Sequence, residues 1–152
     1  MPRLVGINHV ALEVGDLAAA LDFYGRIFDL ELRGRLPGMA FLDIGDQFLA
    51  LSEGREGPPD AHRHFGLVVD DKQAVRRALE RAGAEIVPTR GLRFRDPWGN
   101  SVEIVEYADV QFTKDAAVLS GMGFGELEKS AGAQKELAEK GLSPAPGSPP
   151  RA

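Results

Sequence analysis

Two histidines stand at matching places in a sequence that repeats itself. His9-Val10-Ala11-Leu12-Glu13-Val14-Gly15-Asp16 is answered by His64-Phe65-Gly66-Leu67-Val68-Val69-Asp70-Asp71. Each copy opens on an imidazole, runs on as an apolar strand and ends at an acidic turn. Such a repeat is one supersecondary unit used twice, and it sets two imidazoles at equivalent points of two half-structures. Related by a pseudo-two-fold axis, these halves would bring His9 and His64 together with Glu103, on the last strand of the second copy. Two imidazoles and one carboxylate make a facial metal site with open positions, suited to Fe(II), Mn(II), Zn(II), Ni(II) or Co(II). The plainer alternatives stay open. A histidine at a strand start also serves as a satisfied surface or core residue, and Glu103 as a solvent-facing partner of Arg93. Arg93 and Arg95 have the paired donors to grip an anionic substrate, or they pair with Glu103, Glu85 or Asp96. His62 is a supporting group for His64 or a solvated linker histidine. Trp98 roofs the cleft or covers an edge.

The elements that must position these groups are readable from periodicity. In residues 7–14, Val10, Leu12 and Val14 fall on one face and His9, Ala11 and Glu13 on the other. Asp16 suits a helix N-cap, and Leu17, Leu21, Tyr24 and Phe28 follow as one apolar helical stripe. Strands are predicted over 31–36, 39–44 and 47–52, with turns at Pro37-Gly38 and Gly45-Asp46. The polar stretch 54–63 is read as the linker. In the second copy Asp70 or Asp71 caps a helix that Gly83 ends, and strands follow over 85–87, 92–95 and 101–106. The turn Asp96-Pro97-Trp98-Gly99-Asn100 would set Glu103 opposite Arg93 and Ser101 opposite Arg95. Val102 and Ile104 then face the helix layer and Glu103 faces away from it.

Beyond Tyr107 the character changes. Short helices are predicted over 112–120 and 125–140, and the Pro-rich end, Ser143 to Pro150, is expected to be disordered. The chain of 152 residues is long enough for one compact domain with a sizeable core. Its net charge of −5 argues against a broad nucleic-acid or anionic-membrane footprint. No apolar run is long enough to span a membrane. No secretory signal is visible and there is no cysteine, so a cytoplasmic protein without thiolate chemistry is expected.

The segments Asn8-His9-Val10-Ala11-Leu12, Ala20-Leu21-Asp22-Phe23-Tyr24, His64 to Asp70 and Phe94 to Ile104 resemble the vicinal oxygen chelate superfamily. That group includes glyoxalase I, extradiol dioxygenases, fosfomycin-resistance enzymes and bleomycin-resistance proteins. The Asp-Pro-x-Gly-Asn turn followed by a glutamate is the best single marker. The resemblance implies an α+β fold of two βαβββ modules, about residues 5–53 and 62–107, whose curved mixed sheets wrap a metal cleft. Residues 108–152 lie outside it. It puts His9, His64 and Glu103 on metal-ligand positions, with one divalent ion per site. It also implies a homodimer in which His9 comes from one chain and His64 with Glu103 from the other. One departure stands out. Glyoxalase-like members carry a fourth ligand on the last strand of the first module, where this chain has Ala50. The potassium-binding loop of the fosfomycin-resistance type is also missing.

The function expected is Lewis-acid chemistry of lyase, isomerase or transferase type on a small anionic substrate. Arg93, Arg95 and Trp98 would bind the substrate, and Glu13 or Glu103 would assist proton transfer. Three alternatives stand beside it: an Fe(II) extradiol-type dioxygenase, a metal-free drug-sequestering protein, and an interaction module working through the tail.

Overall fold

The computed structural model describes residues 6–142; the Pro-rich end expected to be disordered lies outside the described residues. Alternating polar and apolar side chains suit a strand with one face covered. Strand β1, His9–Val14, accordingly buries Leu12 and Val14 and exposes His9, Ala11 and Glu13. Asp16 then caps helix α1, Leu17–Gly25, its carboxylate accepting from the Ala19 amide at 2.7 Å. Strands β2, Leu32–Leu36, β3, Met39–Ile44, and β4, Gln47–Glu53, complete the first module.

The second module repeats the plan. Strand β5 is Phe65–Val69, and helix α2, Lys72–Ala82, is capped by Asp71 and ended by Gly83 in the left-handed region. Strands β6, Glu85–Val87, β7, Leu92–Arg95, and β8, Ser101–Glu106, follow. The strand orders β1-β4-β3-β2 and β5-β8-β7-β6 are the same arrangement used twice. In the first sheet β1 runs parallel to β4 while the hairpins β2–β3 and β3–β4 are antiparallel, which makes the sheet mixed. The fold is α+β and built of two βαβββ modules, as the repeat implied.

Both sheets turn their helix-facing sides into one core. Leu12, Val14, Leu42, Leu49 and Leu51 of the first sheet share it with Leu92, Phe94, Val102 and Ile104 of the second, and Phe23, Tyr24, Val75 and Leu79 come from the helices. Full burial of each such Leu or Phe contributes about 1.5–3 kcal/mol relative to exposure. A buried polar network ties the modules at one point. Tyr24 donates to Asp96 Oδ2 at 3.0 Å, and Asn100 donates from Nδ2 to that carboxylate at 2.7 Å and to the Glu13 carbonyl at 2.9 Å. The 96–100 turn of the second module is thereby fastened to α1 and β1 of the first. Gly99, at φ +84°, is required there, since a Cβ would come within 2.5 Å of the Pro59 backbone.

The chain divides into two compact units between Val105 and Glu106. The second unit has a 3-10 turn at Tyr107–Asp109 and helices α3, Ala116–Gly121, and α4, Ala131–Glu139. Both helices are shorter than the periodicity predicts. The Phe112 carbonyl is taken by the Lys129 ammonium, which also holds the carbonyls of Tyr107 and Val110. Asp115 and Ser130 then cap the helices where they begin.

Candidate metal centre

A backbone carbonyl only accepts hydrogen bonds, so the 3.1 Å contact between His64 Nδ1 and the His62 carbonyl puts the ring proton on Nδ1. That turns Nε2 toward Glu103. Nε2 lies 3.5 Å from Glu103 Oε2, with both side chains about one-third exposed. The β7–β8 register sets Arg93 opposite Glu103 and Arg95 opposite Ser101, as the hairpin turn predicted. Val102 and Ile104 are buried on the core side and Glu103 faces away. Arg93 Nη2 is 3.8 Å from the same carboxylate oxygen, and its buried Nε has no hydrogen-bond partner among the described residues. Gly91 leaves room for the carboxylate, since a Cβ there would stand 3.2 Å from Oε1.

His9 is prepared in the same way on the other sheet. Its Nδ1 lies 2.9 Å from Asn8 Oδ1, which leaves Nε2 free. The ring lies flat on Phe48, with centroids 4.6 Å apart and planes 7° apart. The β1–β4 register pairs His9 with Phe48 directly, so both belong to the outward face of the first sheet. Metal-binding imidazoles commonly give their second N–H to a carbonyl or carboxylate, which fixes tautomer and ring orientation. Both histidines have such an arrangement.

Within one chain the structure gathers His64, Glu103 and Arg93 but does not add His9 to them. Among the described residues no three His, Asp or Glu side chains form a metal-sized cluster. The reason lies in the core. Both sheets spend their helix-facing sides on it, so His9 and Glu103 sit on faces that turn away from it.

The remaining candidates are placed as follows. Arg95 is bound by Glu85 Oε1 at 2.8 Å and by the Asp60 carbonyl at 3.1 Å, so its guanidinium secures the linker. Trp98 seats its indole on Gly15, where a Cβ would come within 2.4 Å of Nε1. Glu13 lies on the His9 face, but four residues along a strand is about 13 Å. Ala50 is buried between Leu49 and Leu51, as Glu103 stands between Val102 and Ile104, so the first module has no carboxylate there. A cavity of about 340 Å³ lined by Phe23, Arg26, Glu85, Arg95 and Asp96 contains none of His9, His64 or Glu103.

Asn8 and Phe48 are the groups that sequence reasoning missed, while His62, named as a supporting group for His64, meets it through its backbone carbonyl. For Phe48 the signal was available, because the alternation in β4 that buries Leu49 and Leu51 puts Phe48 on the opposite face.

The fold defines the class, and the comparison with known families agrees. The chain belongs to the Glyoxalase/Bleomycin resistance protein/Dioxygenase superfamily, whose description matches residues 6–104. Among its relatives is glutathione transferase FosA of Serratia marcescens, 28% identical over 140 residues that cover 75% of this chain and 99% of FosA. Another is metallothiol transferase FosB of Bacillus licheniformis, 25% identical over 116 residues, 67% of this chain and 75% of FosB. Fosfomycin resistance protein FosX of Listeria monocytogenes, solved with Mn(II) and a sulfate ion, shares the fold. Its TM-score is 0.61 at 18% identity, over 79% of this chain and 99% of FosX. Among the described residues no helix is long and apolar enough to cross a membrane.

Proposed function

We propose that the protein is a divalent-metal-dependent enzyme acting on a small, anionic, oxygen-chelating substrate, and that it works as a cytoplasmic homodimer. The observation that carries this reading is the pair of imidazoles. Each has its Nδ1 engaged by a neighbouring carbonyl oxygen and its Nε2 turned outward, and the Nε2 of His64 stands 3.5 Å from a carboxylate.

These residues fit a divalent ion. His64 and Glu103 offer two donors of one site, and His9 of a second copy offers the third. An ion held there supplies Lewis acidity, polarising a substrate oxygen so that an enolate or an incoming nucleophile is favoured. Arg93 receives the anionic group through the end of its guanidinium, which Glu103 approaches only to 3.8 Å. Of the two carboxylates suited to proton transfer, Glu103 stands beside Arg93 and His64, while Glu13 lies about 13 Å from His9 along β1. FosA and FosB, named as a glutathione transferase and a metallothiol transferase, support a transfer or addition reaction.

The test is elemental analysis of the tag-free protein followed by Mn(II) titration. About one ion per chain is expected. His64→Ala is expected to weaken Mn(II) binding by more than about tenfold, at least the effect of losing a supporting residue of a metal site. A protein that holds no ion and takes up none on reconstitution would overturn the reading in favour of a ligand-sequestering role.

A further inference from the structure

The two modules support their equivalent histidines by different means. In the second module Glu103 stands 3.5 Å from His64. The corresponding position of the first module is Ala50, which is buried and has no polar side chain to offer. Two positions earlier the modules differ again, with Ser101 on β8 and Phe48 on β4. His9 lies on an edge strand and is exposed. An exposed imidazole turns about two side-chain torsions, and the second of these is broad. Here the ring is laid flat on Phe48, with centroids 4.6 Å and planes 7° apart.

Phe48 is itself braced. Arg33, on β2, reaches it from the opposite side of β4, its guanidinium carbon 5.2 Å from the centre of the Phe48 ring. That guanidinium is fixed in turn, Nε donating to Asp43 Oδ2 at 3.2 Å and Nη2 to the Gly45 carbonyl at 2.6 Å. Phe41 meets the ring edge-on at 5.8 Å. A row of contacts therefore crosses the sheet from Arg33 through Phe48 to His9.

We infer that Phe48 is a positioning residue of the proposed metal site. It sets the plane of the His9 ring before an ion or a second copy arrives, and Arg33 holds Phe48 in place. This rests on the reading of His9 as the ligand that one copy supplies to His64 and Glu103 of the other. Asn8 and Phe48 divide the task. The Asn8 contact at 2.9 Å sets which ring nitrogen is engaged, and the stack sets where the other one points. A ligand ordered in advance loses no torsional freedom when the ion binds. That matters most for the histidine without a carboxylate neighbour, which must be presented across a boundary between two chains. Only a flat ring offers a plane to stack upon, so an aliphatic side chain of similar apolar character does not replace it.

Phe48→Leu keeps an apolar side chain and removes the plane, whereas Phe48→Tyr keeps the plane. In Mn(II) titrations of the full chain, Phe48→Leu is expected to bind about tenfold more weakly than wild type, the low end for a supporting residue of a metal site. Phe48→Tyr is expected to bind as wild type does. Arg33→Ala, exposed on the edge strand, should weaken binding about threefold, the worth of an exposed cation–π contact. It keeps the test open should Phe48→Leu not fold. The metal-free protein supplies a second readout. Its proton NMR spectrum should show His9 ring protons displaced upfield by the underlying π face in wild type and Phe48→Tyr, and not in Phe48→Leu. Wild-type Mn(II) affinity in both Phe48→Leu and Arg33→Ala, equal losses in Phe48→Leu and Phe48→Tyr, or His9 ring protons unmoved by Phe48→Leu would overturn this inference. With Mn(II) bound by wild type and lost in His9→Ala, the metalloenzyme reading then stands. A wild-type protein that takes up no Mn(II) would overturn both.

Discussion

Tyr24 is a phenol buried among apolar side chains with its oxygen 3.0 Å from the Asp96 carboxylate. Burial first, then the charge of Asp96 and the hydrogen bond to it, push its pKa well above the ordinary 10.0. A group whose pKa is raised on folding contributes stability that is fully present below its unfolded pKa and is lost as pH rises toward the folded value. Wild-type stability is therefore expected to fall above pH ~10, by up to about 1.4 kcal/mol per pH unit from this group. Tyr24→Phe should cost about 1–2 kcal/mol near neutrality, because Asp96 loses one donor but keeps Asn100. The variant should also lose the Tyr24 part of the alkaline decline. Urea unfolding at pH 8 and pH 10.5 measures both effects; an equally steep decline in the variant would contradict the role given to Tyr24.

At the scale of elements, the decisive device is a strand-helix-strand unit whose cap, stripe and alternation occur twice. Asp16 and Asp71 start the helices, and Leu12, Val14, Val102 and Ile104 fill the core side of their strands. The second unit has no such repeat, and one side chain gathers the carbonyls at its start. Lys129 joins the carbonyls of Tyr107, Val110 and Phe112 and lies over the Tyr107 ring at 3.4 Å. Lys129→Met keeps the stem and deletes the donors, leaving three carbonyls without this partner. The expected loss is about 1.5–3 kcal/mol, the range for hydrogen bonds to a charged group. Hydrogen exchange should report it as faster exchange over residues 107–142. Unchanged protection there would mean that the clamp contributes nothing to the stability of this unit.

For the whole molecule, the shared core is what keeps His9 from joining His64 and Glu103 within one chain. A site completed by a second copy has a direct test. Neither His9→Ala nor His64→Ala alone is expected to hold Mn(II) tightly. When the two variants are unfolded together and refolded as mixed dimers, each heterodimer regains one site with both histidines. Random pairing should restore about a quarter of wild-type binding capacity. A site confined to one chain would restore none, because every chain in the mixture lacks one histidine.

Most of the fold was legible in the sequence, because its signals are local. The alternation in 9–14, the caps at Asp16 and Asp71, the stop at Gly83 and the 96–100 turn each act within a few residues. Together they determine strand faces and the β7–β8 register, and so the pairing of Arg93 with Glu103. Chemically competent residues could be named the same way, since a repeat marks equivalent positions without any knowledge of distance. Only the tertiary structure decided which of them meet. It engaged Arg95 with Glu85 and Asp60 and laid His9 on Phe48. It seated Trp98 on Gly15 and committed both helix-facing sides to one core. Those outcomes turn on packing between segments far apart in the chain, where position in the sequence carries no record of distance in space.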